Sequence, residues 1–357
     1  MKEKKENRFC GIKTSIGGQA LMEGIMMRGP KRSAMAVRNP EGEIVIEEWD
    51  TKGADRPKIF KLPLIRGVYS FVDSMISGYK CLMRSAEISG LEELEEEERL
   101  AKAAKKAEKA AKKAAKSGKP IEEASMNEAE PLENVADEKN DKKKSSAMST
   151  IIMIVAAVLA VVLVVGLFIW LPSFLYSLIG KAIPSIADNR FIRSIFEGVL
   201  RVAILVGYMA AVALMKDIRR TFMYHGAEHK TIFCYEAGLE LTVENVRKQK
   251  RFHPRCGTSF LVIMVLVGIF VSFFIPSGLP TFVRTIIKLA FVPLIMGIGY
   301  EFIKLAGKRD NAFTRIISAP GMWLQRITTV EPDDDMIECA ILAIQKVIPE
   351  DGSDKLG

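Results

Sequence analysis

Two stretches of this chain, residues 149–171 and 259–275, run without a single charged side chain. An apolar run of about 20 residues matches the hydrocarbon core of a bilayer, where a helix satisfies its own backbone hydrogen bonds. Two further stretches come close. Residues 191–215 are interrupted only by Arg193, Glu197 and Arg201, and residues 281–305 only by Arg284, Lys288, Glu301 and Lys304. A soluble core has room for one such run, hardly for four. The expected fold is an α-helical membrane protein with four transmembrane helices.

The distribution of Lys and Arg orients the spans. Residues 216–255 carry Lys216, Arg219, Arg220, Lys230, Arg247 and further basic residues. The loop 176–190 carries only Lys181 and Arg190, and the turn 276–280 none. The 216–255 loop and both termini are therefore expected on the cytoplasmic side of the plasma membrane. The net charge of +8 is read as this topology signal plus attraction to anionic lipid, so the bilayer is the expected partner and nucleic acid is not. No signal-peptide pattern is expected at the charged opening residues. The five cysteines form no C-x-x-C pair and are expected as reduced thiols.

Composition divides the chain. Residues 12–60 read as a small cytoplasmic β-rich unit: a strand at 34–38, a turn at Asn39-Pro40-Glu41-Gly42, and a returning strand at 43–49 with apolar alternation. The preceding Gly- and Met-rich segment matches no phosphate-cradling pattern, so Met22, Met26 and Met27 are expected to pack. Residues 61–90 read as an amphipathic interfacial helix. Residues 91–148, acidic and then Ala/Lys-rich, lack the apolar residues for a core and read as a charged low-complexity tether. Residues 149–330 form the transmembrane domain, with a cytoplasmic His loop at 216–258. Residues 331–350 form a C-terminal cytoplasmic helix, whose Asp333-Asp334-Asp335 suits a helix start better than a cation site.

All three histidines, His225, His229 and His253, fall in the one loop. His225-Gly226-Ala227-Glu228-His229 reads H-x-x-E-H. The second span is expected to continue as helix through Tyr235, which puts both imidazoles on one face. With His253 or Cys256 they supply three ligands and an open position, the catalytic zinc arrangement; all four would close a structural site. Glu228 is the candidate catalytic base beside a divalent metal, zinc by donor type. The plainer alternative has histidines bonding to backbone or lipid phosphate; their confinement to one loop carries the metal reading. Glu197 and Arg201, four apart, read as an intramembrane ion pair. Arg193 and Arg284 are expected to snorkel to the outer interface.

These residues resemble the YqhQ-like family of bacterial multi-pass membrane proteins of unknown function. The resemblance rests on Gly17-Gly18-Gln19-Ala20-Leu21-Met22-Glu23-Gly24-Ile25-Met26-Met27-Arg28-Gly29-Pro30, on Pro63-Leu64-Ile65-Arg66-Gly67, on Tyr224 to Lys230, on His253-Pro254-Arg255-Cys256-Gly257-Thr258-Ser259, and on Pro320-Gly321-Met322-Trp323-Leu324-Gln325. It implies a metal-dependent enzyme and names no reaction. The expected function is a peptidase-like metal-dependent hydrolase at the cytoplasmic face. The alternative is a non-catalytic assembly or scaffold factor, oligomeric or bound to other membrane proteins, with a structural His/Cys metal site. A small transporter using Glu197 and Arg201 is a weaker third reading, because the spans show no internal repeat.

Overall fold

The structure, a computed structural model, describes residues 11–51, 57–90, 155–187, 189–308 and 311–356. The chain divides into two compact units, residues 1–90 with 167–357, and residues 91–166. The expected tether lies outside the described residues.

The first unit begins with a four-stranded antiparallel meander: β1 (Gly17–Leu21), β2 (Gly24–Arg28), β3 (Arg32–Arg38) and β4 (Ile44–Asp50), paired in that order. The β3–β4 turn falls at the expected Asn39–Gly42 tetrapeptide. Gly42 adopts φ 88°, and Asn39 Oδ1 accepts the Glu43 N–H at 2.7 Å. The β1–β2 hairpin comes from the Gly/Met-rich segment. Glycines at 17, 18 and 24 mask its strand character, since glycine is depleted in strands.

Side chains of β2 and β3 alternate, and both faces are buried. Ile25, Met27, Ala34 and Ala36 pack into one cluster with Tyr224, Ala227, Ile337, Ala340 and Ile344. Leu21, Met26, Met35 and Val37 pack with Cys81 on the other face. The methionines at 26 and 27 are thus packing residues, as expected.

Helix α1 (Ile65–Ile88) supplies Cys81. It buries Gly67, Gly78, Ser85 and Ala86, and exposes Val72, Met75, Ile76 and Tyr79. Small residues face the protein and large apolar ones face outward, the reverse of a helix on an aqueous surface.

Among the described residues, two helices are long and apolar enough to cross a membrane: α2 (Val155–Ala182), with a π-helical turn at Gly166–Trp170, and α3 (Arg190–Val212). Helix α3 buries Arg193, Ser194, Glu197 and Arg201 and exposes Phe191, Ile195 and Val199. The four expected spans are not all present as full-length helices. After α4 (Lys216–Glu236) and the short α5 (Val243–Arg247), α6 (Gly257–Ser272) has 16 residues, short of the ~20 that span the core. The expected fourth span is a pair, α7 (Thr281–Ala290) and α8 (Val292–Lys308), bent by 46°, which makes a third span if counted as one.

The second span does not continue to Tyr235 in one helix. The chain breaks at 213–215, where Met215 is extended at ψ 131°, and α4 starts anew. No proline or glycine causes the break. Helix α4 instead turns to pack against the sheet and against α10 (Asp334–Gln345), so tertiary contact overrides local propensity. Before α10, α9 (Ala312–Thr328) packs along α6. Asp334 and Asp335 lie in the first turn of α10, and Asp334 also pairs with Arg247.

Candidate metal centre

His225 and His229 stand one turn apart on α4, ring centroids 4.4 Å apart. His225 Nδ1 lies 2.8 Å from the Thr328 carbonyl oxygen, and His229 Nδ1 lies 2.6 Å from that of Arg251. A carbonyl only accepts, so each Nδ1 carries the proton and donates it. In the neutral ring, each Nε2 then keeps its lone pair for a cation. Metal-ligating histidines are oriented in this way.

Cys256 is the N-cap of α6, and its Sγ lies 3.1 Å from His225 Nε2. The ligand atoms of His225, His229 and Cys256 fall within 4.8 Å of one another. Burial pushes the Cys256 thiol up, but the two imidazoles reverse this and hold it well below its usual value. Burial opposes charge on His225, yet the facing Cys256 sulfur and Glu228 push it up to about 9. A thiolate and two pre-oriented imidazoles form a donor set suited to a soft or borderline divalent cation, which would supply the positive charge a proton otherwise supplies.

Glu228 is buried beside them. Burial raises its carboxyl and the two imidazoles pull it back, leaving it above the usual carboxylate value. The Gly18 N–H donates to it from β1. A Cβ at Gly18 would come within 2.9 Å of the Glu228 carboxyl carbon and 2.7 Å of the Met26 carbonyl oxygen. The N-terminal strand and the His helix, some two hundred residues apart in sequence, thus meet at this carboxylate. Of Gln19, Glu23 and Arg28, Gln19 lines the adjoining cavity. Glu23 pairs with Arg220 and accepts from Tyr224, and Arg28 pairs with Asp73 at 2.7 Å.

His253 stands next to the three converging ligands without joining them. Its Nδ1 accepts the Arg255 N–H at 3.3 Å, and its Nε2 lies 3.8 Å from Glu236 Oε2. Burial holds it down to about 4, so it is neutral at pH 7. Gln325, which the sequence reading did not single out, grips its backbone. The Gln325 side chain accepts the His253 N–H at 2.8 Å and donates to the His253 carbonyl at 2.8 Å and to Ser259 Oγ at 3.1 Å. That clamp sets the turn preceding Cys256. Its sequence signal is the long Pro320–Gln325 string.

A cavity of about 630 Å³ opens beside the cluster, lined by residues 14–20, His225, Glu228, His229, Cys256 and Tyr300 among others.

The expected Glu197–Arg201 pair is present at 3.7 Å but belongs to a larger group. Arg193 and Arg284 do not snorkel outward. They are 5% and 0% exposed: Arg193 lies 3.1 Å from Glu197 and donates to the Ser277 carbonyl at 2.9 Å, and Arg284 donates to the Ile275 carbonyl at 3.2 Å with Glu197 3.9 Å away.

The family model described as "Protein of unknown function (DUF1385)" matches residues 62–350. The chain is 31% identical over 339 residues to "Uncharacterized protein YqhQ" of Bacillus subtilis (strain 168), covering 94% of this chain and 93% of that one. No solved structure matches. By the extent of both matches, the chain belongs to the DUF1385 family, together with the uncharacterised YqhQ.

Proposed function

We propose that this protein is a metal-dependent hydrolase of the cytoplasmic membrane that acts on an extended peptide segment at the inner face. One observation carries the reading: two histidines, each locked by a carbonyl at Nδ1, aim their Nε2 atoms toward a helix-capping thiol beside a buried carboxyl. His225, His229 and Cys256 would hold the cation, and no fourth protein ligand closes the group among the described residues. A divalent ion there, zinc by donor type, would act as Lewis acid and acidify water. Glu228 accepts the proton that water loses and returns it to the leaving group. Burial raises its basicity above that of an ordinary carboxylate, which favours its taking that proton. The Gly18 N–H steadies the carboxylate.

The substrate class follows from β1. This strand ends the sheet, and its residues line the cavity. An unpaired strand edge recognises extended peptide backbone by adding it as another strand. The inside-out helices α1 and α3 support a bilayer setting. In this reading α2, α3, α6 and the bent α7–α8 pair make four crossings, with both termini and the 216–258 loop cytoplasmic.

The test is elemental analysis of purified protein beside the His225→Ala/His229→Ala double variant, followed by peptide hydrolysis. About one divalent ion per chain is expected, lost in the double variant. Glu228→Gln should retain the ion and lose turnover. If His225→Ala unfolds the protein while Glu228→Gln changes nothing, the site is a structural clip and the protein a scaffold factor.

A second reading comes from the 3.1 Å contact between His225 Nε2 and Cys256 Sγ at a helix N-terminus: a thiol nucleophile activated by an imidazole. Hydrolysis that survives chelation and is lost to thiol alkylation would select it over the metal.

A further inference from the structure

Helices α2, α3 and α7 enclose a single carboxylate among four cations. Arg193 Nε lies 3.1 Å from Glu197, Arg201 Nη2 3.7 Å and Arg284 Nη2 3.9 Å, and Lys288 Nζ bonds to it directly. None of the five side chains belongs to an exposed residue; Glu197 and Arg284 are 0% exposed. Lys288 also donates to Ser173 Oγ at 2.6 Å. One negative charge therefore faces four positive ones among the described residues.

This imbalance is chemically specific. A buried lysine can shed its proton, whereas a guanidinium cannot, so even with neutral Lys288 the arginines outnumber the carboxylate. Hydrogen bonds mark the same deficit. Arg193 Nη2, Arg201 Nη2, and Arg284 Nε and Nη2 are buried with no hydrogen-bond partner among the described residues. Buried donors and charges are normally matched. Carbonyls of Phe168, Ile275, Pro276 and Ser277 accept from other N–H groups of these arginines, and the four atoms named are left over. A cavity of about 340 Å³ reaches the group at Arg193 and is lined also by Tyr176, Ser177, Lys181 and the 277–281 turn.

We propose that this cluster is a binding site for a phosphate-bearing anion, either a phospholipid headgroup or free phosphate. The guanidinium groups offer several directional N–H donors, which a multi-oxygen anion satisfies and a single-point acceptor does not. Lys181 and Arg193 line the entry. Glu197 contacts all four cations and so competes with an incoming anion for them. The proposal does not depend on the metal centre, with which it shares no residue.

The experiment uses full-length protein in nonionic detergent, stripped of lipid. Native mass spectrometry reads retention of phosphatidylglycerol, and thermal unfolding is followed while sodium phosphate is titrated against sodium chloride at equal ionic strength. Retained lipid assigns the headgroup, and a phosphate-specific rise in Tm without lipid assigns free phosphate; either supports the site. Arg193→Gln, at the cavity wall, should weaken the response by about tenfold or more in apparent affinity. Glu197→Gln removes the competing carboxylate and should strengthen it by a similar factor. Neither lipid retention nor a phosphate-specific shift, or a chloride response equal to that of phosphate, would overturn the proposal. So would an unchanged response in both variants.

Discussion

At the scale of single residues, the candidate metal centre depends on the groups that hold His225, His229 and Cys256 as much as on those three side chains. Gln325 makes three side-chain hydrogen bonds, two of them to the His253 backbone. Truncating it leaves buried backbone groups unpaired, at a cost of about 1–3 kcal/mol each. Gln325→Ala should therefore lower Tm and weaken metal affinity together, as thermal unfolding and metal titration would register; a fall in Tm with unchanged metal affinity would show that the clamp does not position Cys256. His253 makes a pH prediction. Its folded value is about 4 against 6.5 for a free imidazole. A depressed value means that the unfolded chain binds the proton first, so the contribution is complete above pH 6.5 and is lost as pH falls toward 4. Unfolding followed between pH 7 and pH 5 should show about 2 kcal/mol of this loss. His253→Gln should flatten that part of the profile. The H-x-x-E-H spacing and Cys256 were legible in the sequence because helical periodicity is local. That Gly18 bonds to Glu228 was not, since nothing in a glycine-rich string specifies which distant carboxylate it meets.

At the scale of elements, α4 does two jobs. Its one face completes the core against the sheet and α10, and its other presents the ligands. Gly226, between the two histidines, lets the chain at Val330 cross closely: a Cβ there would sit 2.0 Å from the Val330 carbonyl oxygen. Gly226→Ala must push that segment away, with an overpacking cost of about 1–3 kcal/mol. The readout is Tm beside metal content, and a variant unchanged in both would show that the crossing is not tight. Gly18→Ala meets the Met26 carbonyl as well as the Glu228 carboxyl, so both Tm and turnover should fall, and unchanged turnover would show that β1 does not position the proposed base. The apolar stripe of α10, the β3–β4 turn and the Thr242 cap of α5, which accepts the Asn245 N–H at 3.3 Å, follow from local chemistry. The break at 213–215 does not, because it answers to the packing of α4 rather than to any breaker residue.

On the scale of the whole molecule, the unusual feature is the inversion of α3, with charges inward and large apolar side chains outward. This pattern suits a hydrocarbon surround, where burying polar groups against one another costs less than exposing them. The proposed four-crossing topology predicts that a cysteine at position 278, placed in the variant Gly278→Cys, reacts with a membrane-impermeant reagent in intact cells. One at position 248, in Lys248→Cys, should react only after permeabilisation. The opposite pattern would invert the chain, and labelling at both positions in intact cells would remove the crossings between them.

By itself, the amino-acid sequence determined the apolar character of the helices, the β-turn chemistry of the N-terminal unit and the pairing of His225 with His229. All of these rest on neighbours within a few residues, where period and propensity act directly. Only the tertiary structure decided that His253 stands aside while Cys256 converges, that the Gly/Met segment becomes the strand supporting Glu228, and that Arg193 and Arg284 turn inward. Those outcomes depend on which distant carbonyl, amide or carboxylate each side chain meets, and chain closure through the whole core selects that partner.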